Sequence, residues 1–312
     1  MNTVLVEPFG YSKTLTTVLE VCKRARAENP YSDIVMLGNV LNGDPIKDEI
    51  KKLGIKNIII PPIGFGDFLN NVKKDTIIIT SPYGTKSELI KIIQKRKLIH
   101  YDCTSPTIIE KRDFILQNKN KTIIYVANVN TVEADYLANE TRHGFLFYDL
   151  SSTTSVYNRK IFKKKYNKES TIVIFQSDAS EDVLIRALRK IHAFLPKAVI
   201  NKNISDENYA KKKVIAENIK EGDLLLNVSC YKKPTKYLLN YYHLANKNVY
   251  FATVGSVTEA MLLNVNNDKN IVIVSDGSVS KNIILEIYNY FYYKSIKVNL
   301  RDSKIEFQSL NW

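Results

Sequence analysis

Cysteine is scarce in this chain, with three residues, at positions 22, 103 and 230. They are too few and too scattered for a disulfide framework, so the expectation is a reduced, cytoplasmic protein. Histidine is scarce as well. His100, His143, His192 and His243 have no metal-ligand spacing with one another or with a cysteine, and no metal site is expected. No apolar run approaches the roughly 18–20 residues that a membrane span needs. Glu7, Pro8 and Gly10 break the first apolar run, so the N-terminus does not read as a signal peptide. Glycine-rich phosphate loops are missing too. Gly64-Phe65-Gly66 has neither a third glycine nor a following Lys-Ser/Thr, which excludes the dinucleotide and P-loop fingerprints.

Acidic residues fall short of basic ones, 32 against 45, for a formal charge of +13. An excess of this size suits an acidic partner: phosphate, nucleic acid or an anionic surface. Lysine far exceeds arginine and is spread along the chain, which is also what A·T-rich coding DNA produces. The run Arg159-Lys160-Ile161-Phe162-Lys163-Lys164-Lys165 interleaves charge with apolar residues, as a solvated amphipathic helix does. No nucleic-acid-binding motif accompanies it, and nucleic acid is not expected as a partner.

What the chain does have is alternation. Short apolar runs, among them Val4–Glu7, Ile34–Leu37, Thr76–Thr80, Thr122–Val126, Ile172–Phe175, Leu224–Val228 and Ile271–Val274, alternate with segments of helical spacing such as Leu15/Val18/Leu19/Cys22. Continuous apolar strands covered by helices predict mainly parallel sheets buried on both faces, an α/β fold. Twelve such strands taken in chain order make three groups of four, which suggests three similar α/β units around a central cleft. Their expected bounds are 1–101, 102–204 and 205–297, with 298–312 as a tail that forms an edge strand or a covering arm. Cys22 falls on the apolar face of the first helix, whereas Cys103 and Cys230 fall near strand ends that face the cleft. Gly277-Ser278 closes a strand and opens a helix, where backbone N–H groups can meet an anion. The aromatic string Tyr288-Asn289-Tyr290-Phe291-Tyr292-Tyr293 is expected in the last helix.

Several stretches occur in an order that resembles a known family. They are Val4-Leu5-Val6-Glu7-Pro8-Phe9-Gly10-Tyr11-Ser12, Ser81-Pro82-Tyr83-Gly84, Asp102-Cys103-Thr104-Ser105-Pro106, Phe175-Gln176-Ser177, Ala187-Leu188-Arg189-Lys190 and Ser275-Asp276-Gly277-Ser278. Together they resemble 4-hydroxy-3-methylbut-2-enyl diphosphate reductase, the LytB family, from residue 1 to about 295. The resemblance implies an iron–sulfur cluster held by three cysteines, one from each unit. The matching positions here are Ser12, Ser105 and Asn208. Hydroxyl and amide groups are poor substitutes for thiolates. The family's three ligand-binding histidines fall at Asn42, Tyr83 and Asn130, and its acidic proton donor at Val132, with Glu133 adjacent. Its Ser-Ser-Asn stretch falls at Lys232-Lys233-Pro234, a threonine at Ser177, and a late serine at Val279 or Ser280.

The expectation is therefore a cluster-free homologue with no iron–sulfur cofactor. It would be a pseudoenzyme or a redox-free enzyme that binds a small polar or anionic molecule, such as a phosphorylated one. Ser12, Asn42, Tyr83, Ser105, Asn130, Ser177, Asn208, Lys232, Lys233 and Ser280 would line the site. Two alternatives remain open. One is a regulatory protein that binds a protein partner through the basic surface Arg159–Lys168. The other is an active iron–sulfur reductase that uses Cys22, Cys103 and Cys230 in relocated positions.

Overall fold

The computed structural model describes residues 2–38, 44–58, 64–128, 131–140, 145–150, 170–177, 181–200, 214–230, 244, 248–265 and 269–302. Strands alternate with helices through them. The first third holds β1 (Thr3–Leu5), α1 (Lys13–Glu28), β2 (Ile34–Leu37), α2 (Asp44–Lys52), β3 (Ile55–Ile58), α3 (Phe65–Asn71), β4 (Ile77–Ile79), α4 (Ser87–Lys95) and β5 (His100–Tyr101). Then come α5 (Pro106–Gln117), β6 (Thr122–Ala127), α6 (Val132–Glu140), β7 (Phe145–Asp149), β8 (Thr171–Phe175), α7 (Glu181–Phe194) and β9 (Val199–Ile200). The last part holds β10 (Leu224–Val228), β11 (Tyr250–Val254), α8 (Val257–Met261), β12 (Ile271–Ser275) and α9 (Lys281–Asp302).

Among the described residues every strand pairing is parallel. Three four-stranded sheets result, ordered β3-β2-β4-β5, β7-β6-β8-β9 and β11-β10-β12-β1. In each, the first strand of the group lies between the second and the third, so all three sheets share one winding. The expected α/β class with three similar parallel units is what the structure contains. Strand grouping by chain order is corrected, however. Each group begins one strand later than expected, because β1 pairs with β12 and completes the last sheet rather than the first. Nothing local in Thr3–Leu5 marks that choice; it is made by the partner, through the register Thr3↔Ile271 to Leu5↔Ile273.

The chain divides into two compact units. One contains residues 1–15, 43–46 and 206–312 and holds the β1-containing sheet, and the other contains residues 16–42 and 47–205 and holds the other two sheets. In the β6-containing sheet the period-2 alternation of a strand sends side chains to two separate cores. Ile123, Tyr125, Ile172 and Ile174 pack with Ile108, Ile115 and Leu137 of α5 and α6. Ile124, Val126, Val173 and Phe175 pack with Ala187 and Ile191 of α7. The β1-containing sheet is covered in the same way, by Ile284, Ile287 and Phe291 of α9 on one face and by Ile215 and Ile219 on the other.

Residues 298–302 of the expected tail continue α9, which runs to Asp302, so they are helix and not an edge strand, and the rest of the tail lies outside the described residues. The helix is anchored by Phe291, which is fully buried, while Tyr293 of the same aromatic string is 61% exposed. No helix among the described residues is long and apolar enough to cross a membrane.

Candidate functional site

In open parallel sheets, ligands collect beyond the carboxyl ends of the strands, where the winding changes direction. In these sheets that point lies between β2 and β4, between β6 and β8, and between β10 and β12. Ser81–Tyr83 follows β4, Ser177 follows β8, and Ser229 and Asp276 follow β10 and β12. Three of the candidate-bearing stretches named from sequence therefore stand at switch points.

In the unit that holds β2–β9, Ser105 starts α5 and is buried, with Pro106 at the first helical position. Proline there is pre-set for the helix and needs no N–H partner. The Ser105 N–H donates to the Pro82 carbonyl at 2.9 Å, which ties the Tyr83 loop to the start of α5. Asp102 fixes the same junction, its Oδ1 accepting from the Thr104 N–H at 2.9 Å and the Thr104 hydroxyl at 2.7 Å. Tyr83 packs against the core around Tyr125. Tyr83 and Ser105 thus belong to one local arrangement.

Ser177 belongs to a buried polar cluster that was not foreseen. Lys111 of α5 and Glu133 of α6 form an ion pair, Nζ to Oε1, at 3.0 Å, with their side chains 0% and 4% exposed. Lys111 Nζ also donates to Ser177 Oγ at 2.7 Å. Ser177 Oγ–H donates to Glu133 Oε1 at 3.1 Å, and the Tyr125 hydroxyl donates to the same oxygen at 2.5 Å. Glu133 was noted only as a neighbour of Val132, whose side is 48% exposed. The sequence does carry a signal for this cluster. Ile108, Lys111 and Ile115 recur at helical spacing and all three are buried, so a lysine sits within an apolar stripe. A charge in such a place requires an opposite charge and further hydrogen bonds.

In the other unit, Ser12 caps α1, its Oγ accepting the Leu15 N–H at 3.4 Å, as its position before Lys13 suggested. Its own N–H donates to the Gly277 carbonyl at 2.9 Å. Ser280 precedes α9, and its carbonyl accepts from Ile284. The Gly277-Ser278 loop, where an anion contact was one reading, is held by side chains around it. The Gly277 N–H donates to Ser275 Oγ at 3.2 Å and the Ser278 N–H to Asp276 Oδ1 at 3.1 Å. Asp276 also accepts from the Ser229 and Ser278 hydroxyls, each at 2.5 Å. The Asp276 carboxylate holds the Ser278 and Ser229 donors and the Ser275 hydroxyl holds the Gly277 N–H, so side chains of the protein occupy the donors of this loop. Asn42, Asn130, Asn208, Lys232, Lys233 and the basic run Arg159–Lys168 lie outside the described residues.

Of the three thiols, Cys22 and Cys103 are fully buried in the unit that holds β2–β9. Cys103 does not face a cleft as expected. Strand β5 ends at Tyr101, and the chain turns inward, where the Cys103 N–H donates to Thr80 Oγ1 at 3.2 Å. Burial pushes the Cys22 thiol up to about 12. Burial does the same to Cys103, helped by Cys22 and Asp102 nearby. Cys230 is half-buried and directs its Sγ–H to the Ser278 carbonyl at 3.6 Å. Serine hydroxyls at the two described ligand positions and two protonated, buried thiols are not a donor set for an iron–sulfur cluster, which thiolates hold. No group of three His, Cys, Asp or Glu suited to a metal occurs among the described residues.

The raised thiols have a consequence for stability. An unfolded cysteine ionises near 9.0, while the native Cys22 keeps its proton to about 12. Between these values the unfolded chain binds fewer protons, so stability falls as pH rises through that window. From pH 9 to 10, Cys22 alone should cost about 1 kcal/mol. Urea titrations of wild type and Cys22→Ala measure it: the loss over that interval should be smaller by this amount in the variant, and equal losses would contradict it.

Comparison with known proteins was made on the sequence and on the fold. A family model described as LytB protein matches residues 3–292. The 4-hydroxy-3-methylbut-2-enyl diphosphate reductase of Wigglesworthia glossinidia brevipalpis is 22% identical over 323 aligned residues, covering 98% of this chain and 95% of that relative. The enzyme of the same name from Bacillus licheniformis is 22% identical over 231 residues, covering 73% of this chain and 70% of that relative. The solved structure of the E-1-hydroxy-2-methyl-but-2-enyl-4-diphosphate reductase from Plasmodium falciparum has a TM-score of 0.69 at 20% identity. It covers 93% of this chain and 87% of that one.

Proposed function

The chain belongs to the LytB family, and we propose that it is a cluster-free member that binds a small polar or anionic ligand and carries out no reductive step on it. The observation that carries this reading is the use made of Ser12 and Ser105. Both start helices, and both offer a hydroxyl where the resemblance calls for a thiolate. A hydroxyl in place of a thiolate removes the soft donor that holds iron. Asn208, at the third such position, offers an amide.

The ion pair of Glu133 supports the same reading. A carboxylate that receives three hydrogen bonds, one from an ammonium, is an acceptor. As an acceptor it holds no proton of its own to give to a substrate that is being reduced. What remains beyond the carboxyl ends of the strands is polar chemistry, with Tyr83, Ser105 and Ser177 in one compact unit and Ser12 and Ser280 in the other. Phosphorylated small molecules suit the charge of +13, and no nucleic acid, membrane or metal is called for.

The test is a turnover assay on protein purified without oxygen, given 4-hydroxy-3-methylbut-2-enyl diphosphate and reduced methyl viologen. The reading predicts no oxidation of the viologen above the protein-free rate. Stoichiometric turnover would overturn it.

A further inference from the structure

We propose that Ser177 is a nucleophile for acyl transfer from a carboxylic ester, with Glu133 as its proton acceptor and Lys111 as the cation that steadies its Oγ. The inference rests on the redox-free reading above and names a reaction class for the same site. Its ground is the geometry at one hydroxyl. Ser177 Oγ receives a hydrogen bond from Lys111 Nζ at 2.7 Å and gives one to Glu133 Oε1 at 3.1 Å. A serine nucleophile needs these two things: a base on its proton and a group that stabilises charge building on its oxygen. Tyr125, donating at 2.5 Å to the same Glu133 oxygen, orients the base from behind.

Burial distinguishes this cluster from an ordinary surface ion pair. Lys111 and Glu133 are almost wholly withdrawn from water, and Tyr125 is fully buried. Ser177 alone of the four is half-buried, so it is the member of the cluster nearest to solvent. It does so just past the carboxyl end of β8, at the switch point of the sheet. In such a medium a fixed ammonium favours negative charge on the adjacent Ser177 oxygen more strongly than it would in water.

The step balances without an oxidant or a reductant. The Ser177 Oγ–carbonyl carbon bond forms, the ester carbon–oxygen bond breaks, and the serine proton passes through Glu133 to the departing alkoxide. Water then attacks the acyl-serine, giving its proton to Glu133 and returning it to Ser177 Oγ. Lys111 remains an ammonium throughout. It is a positioning residue, since it acts through Ser177 Oγ and not on the substrate.

The experiment uses the full chain and diisopropyl fluorophosphate, with intact mass and peptide mapping as readouts. One adduct per chain is expected, on the peptide that contains Ser177, and none in Ser177→Ala. Glu133→Gln should label about a hundredfold more slowly, the scale of a lost general base. Glu133→Asp, which keeps the carboxylate, should label faster than Glu133→Gln, an order that a merely structural role would not require. Should single variants unfold, the double variant K111M/E133L, with its charges removed together, should melt cooperatively and remain unlabelled. An unmodified Ser177 in folded wild-type protein, or a wild-type labelling rate in Glu133→Gln, overturns the proposal. These outcomes separate from failure of the underlying reading: a viologen-oxidising protein defeats that reading, whereas an inert Ser177 in an inactive one defeats only the nucleophile.

Discussion

Lys111→Met should lower the stability of the unit that holds β2–β9 by about 3–5 kcal/mol, the cost of breaking a buried ion pair from one side. The substitution leaves the Glu133 carboxylate 4% exposed with only the Tyr125 and Ser177 hydroxyls on its Oε1. Methionine fills most of the space of the lysine stem, so packing contributes little to the loss, and the uncompensated charge accounts for most of it. The double variant K111M/E133L removes both charges and should recover most of the stability, because an apolar pair of similar volume often replaces a buried ion pair at little cost. Guanidinium titrations of the wild type and both variants measure this. A single-variant loss under about 1 kcal/mol would mean that the cluster is hydrated and the pair is weak.

Gly84→Ala should cost about 2–4 kcal/mol, from left-handed backbone strain together with overpacking. Gly84 follows Tyr83 and has φ of +92°, a conformation that side chains disfavour. A Cβ there would lie 2.3 Å from the ring of Tyr136, far inside contact distance. Tyr136 cannot give way cheaply. It is buried in the core with Ile108, Tyr125 and Leu137, and its hydroxyl receives a hydrogen bond from Arg112 at 3.2 Å. Gly84 thus allows the loop after β4 to close onto α6, and it places Tyr83 against the same core. The loss should appear in the midpoint of denaturation with the slope unchanged, as for a change in stability alone. A loss under about 0.5 kcal/mol would mean that the loop moves freely off the ring.

Much of this was legible in the sequence, and the parts that were not have physical reasons. Apolar runs such as Ile34–Leu37 and Thr122–Val126 announced parallel strands, because residues buried on both faces leave no polar alternation. Grouping the strands by chain order recovered three sheets of four but set each of them one strand early. It failed for β1, since closing the last sheet is a long-range event that Thr3–Leu5 does not encode locally. Ser12 caps α1 through its hydroxyl, and Ser105 stands before α5 with Pro106 at the first helical position, both of them matters of local chemistry. Cys103 was misplaced because a strand end says where the backbone goes and not which way the next side chain turns. The Lys111–Glu133 pair joins residues of two different helices, and it needed the fold to bring them together.

The central claim is the absence of redox chemistry, and the most direct measurement is the iron and acid-labile sulfide content of protein purified without oxygen, read beside its visible spectrum. With Ser12 and Ser105 offering hydroxyls and with Cys22 and Cys103 buried and protonated, the account predicts colourless, folded protein with iron and sulfide far below one per chain. Brown protein with stoichiometric iron and sulfide would contradict it and make reduction the function of the site.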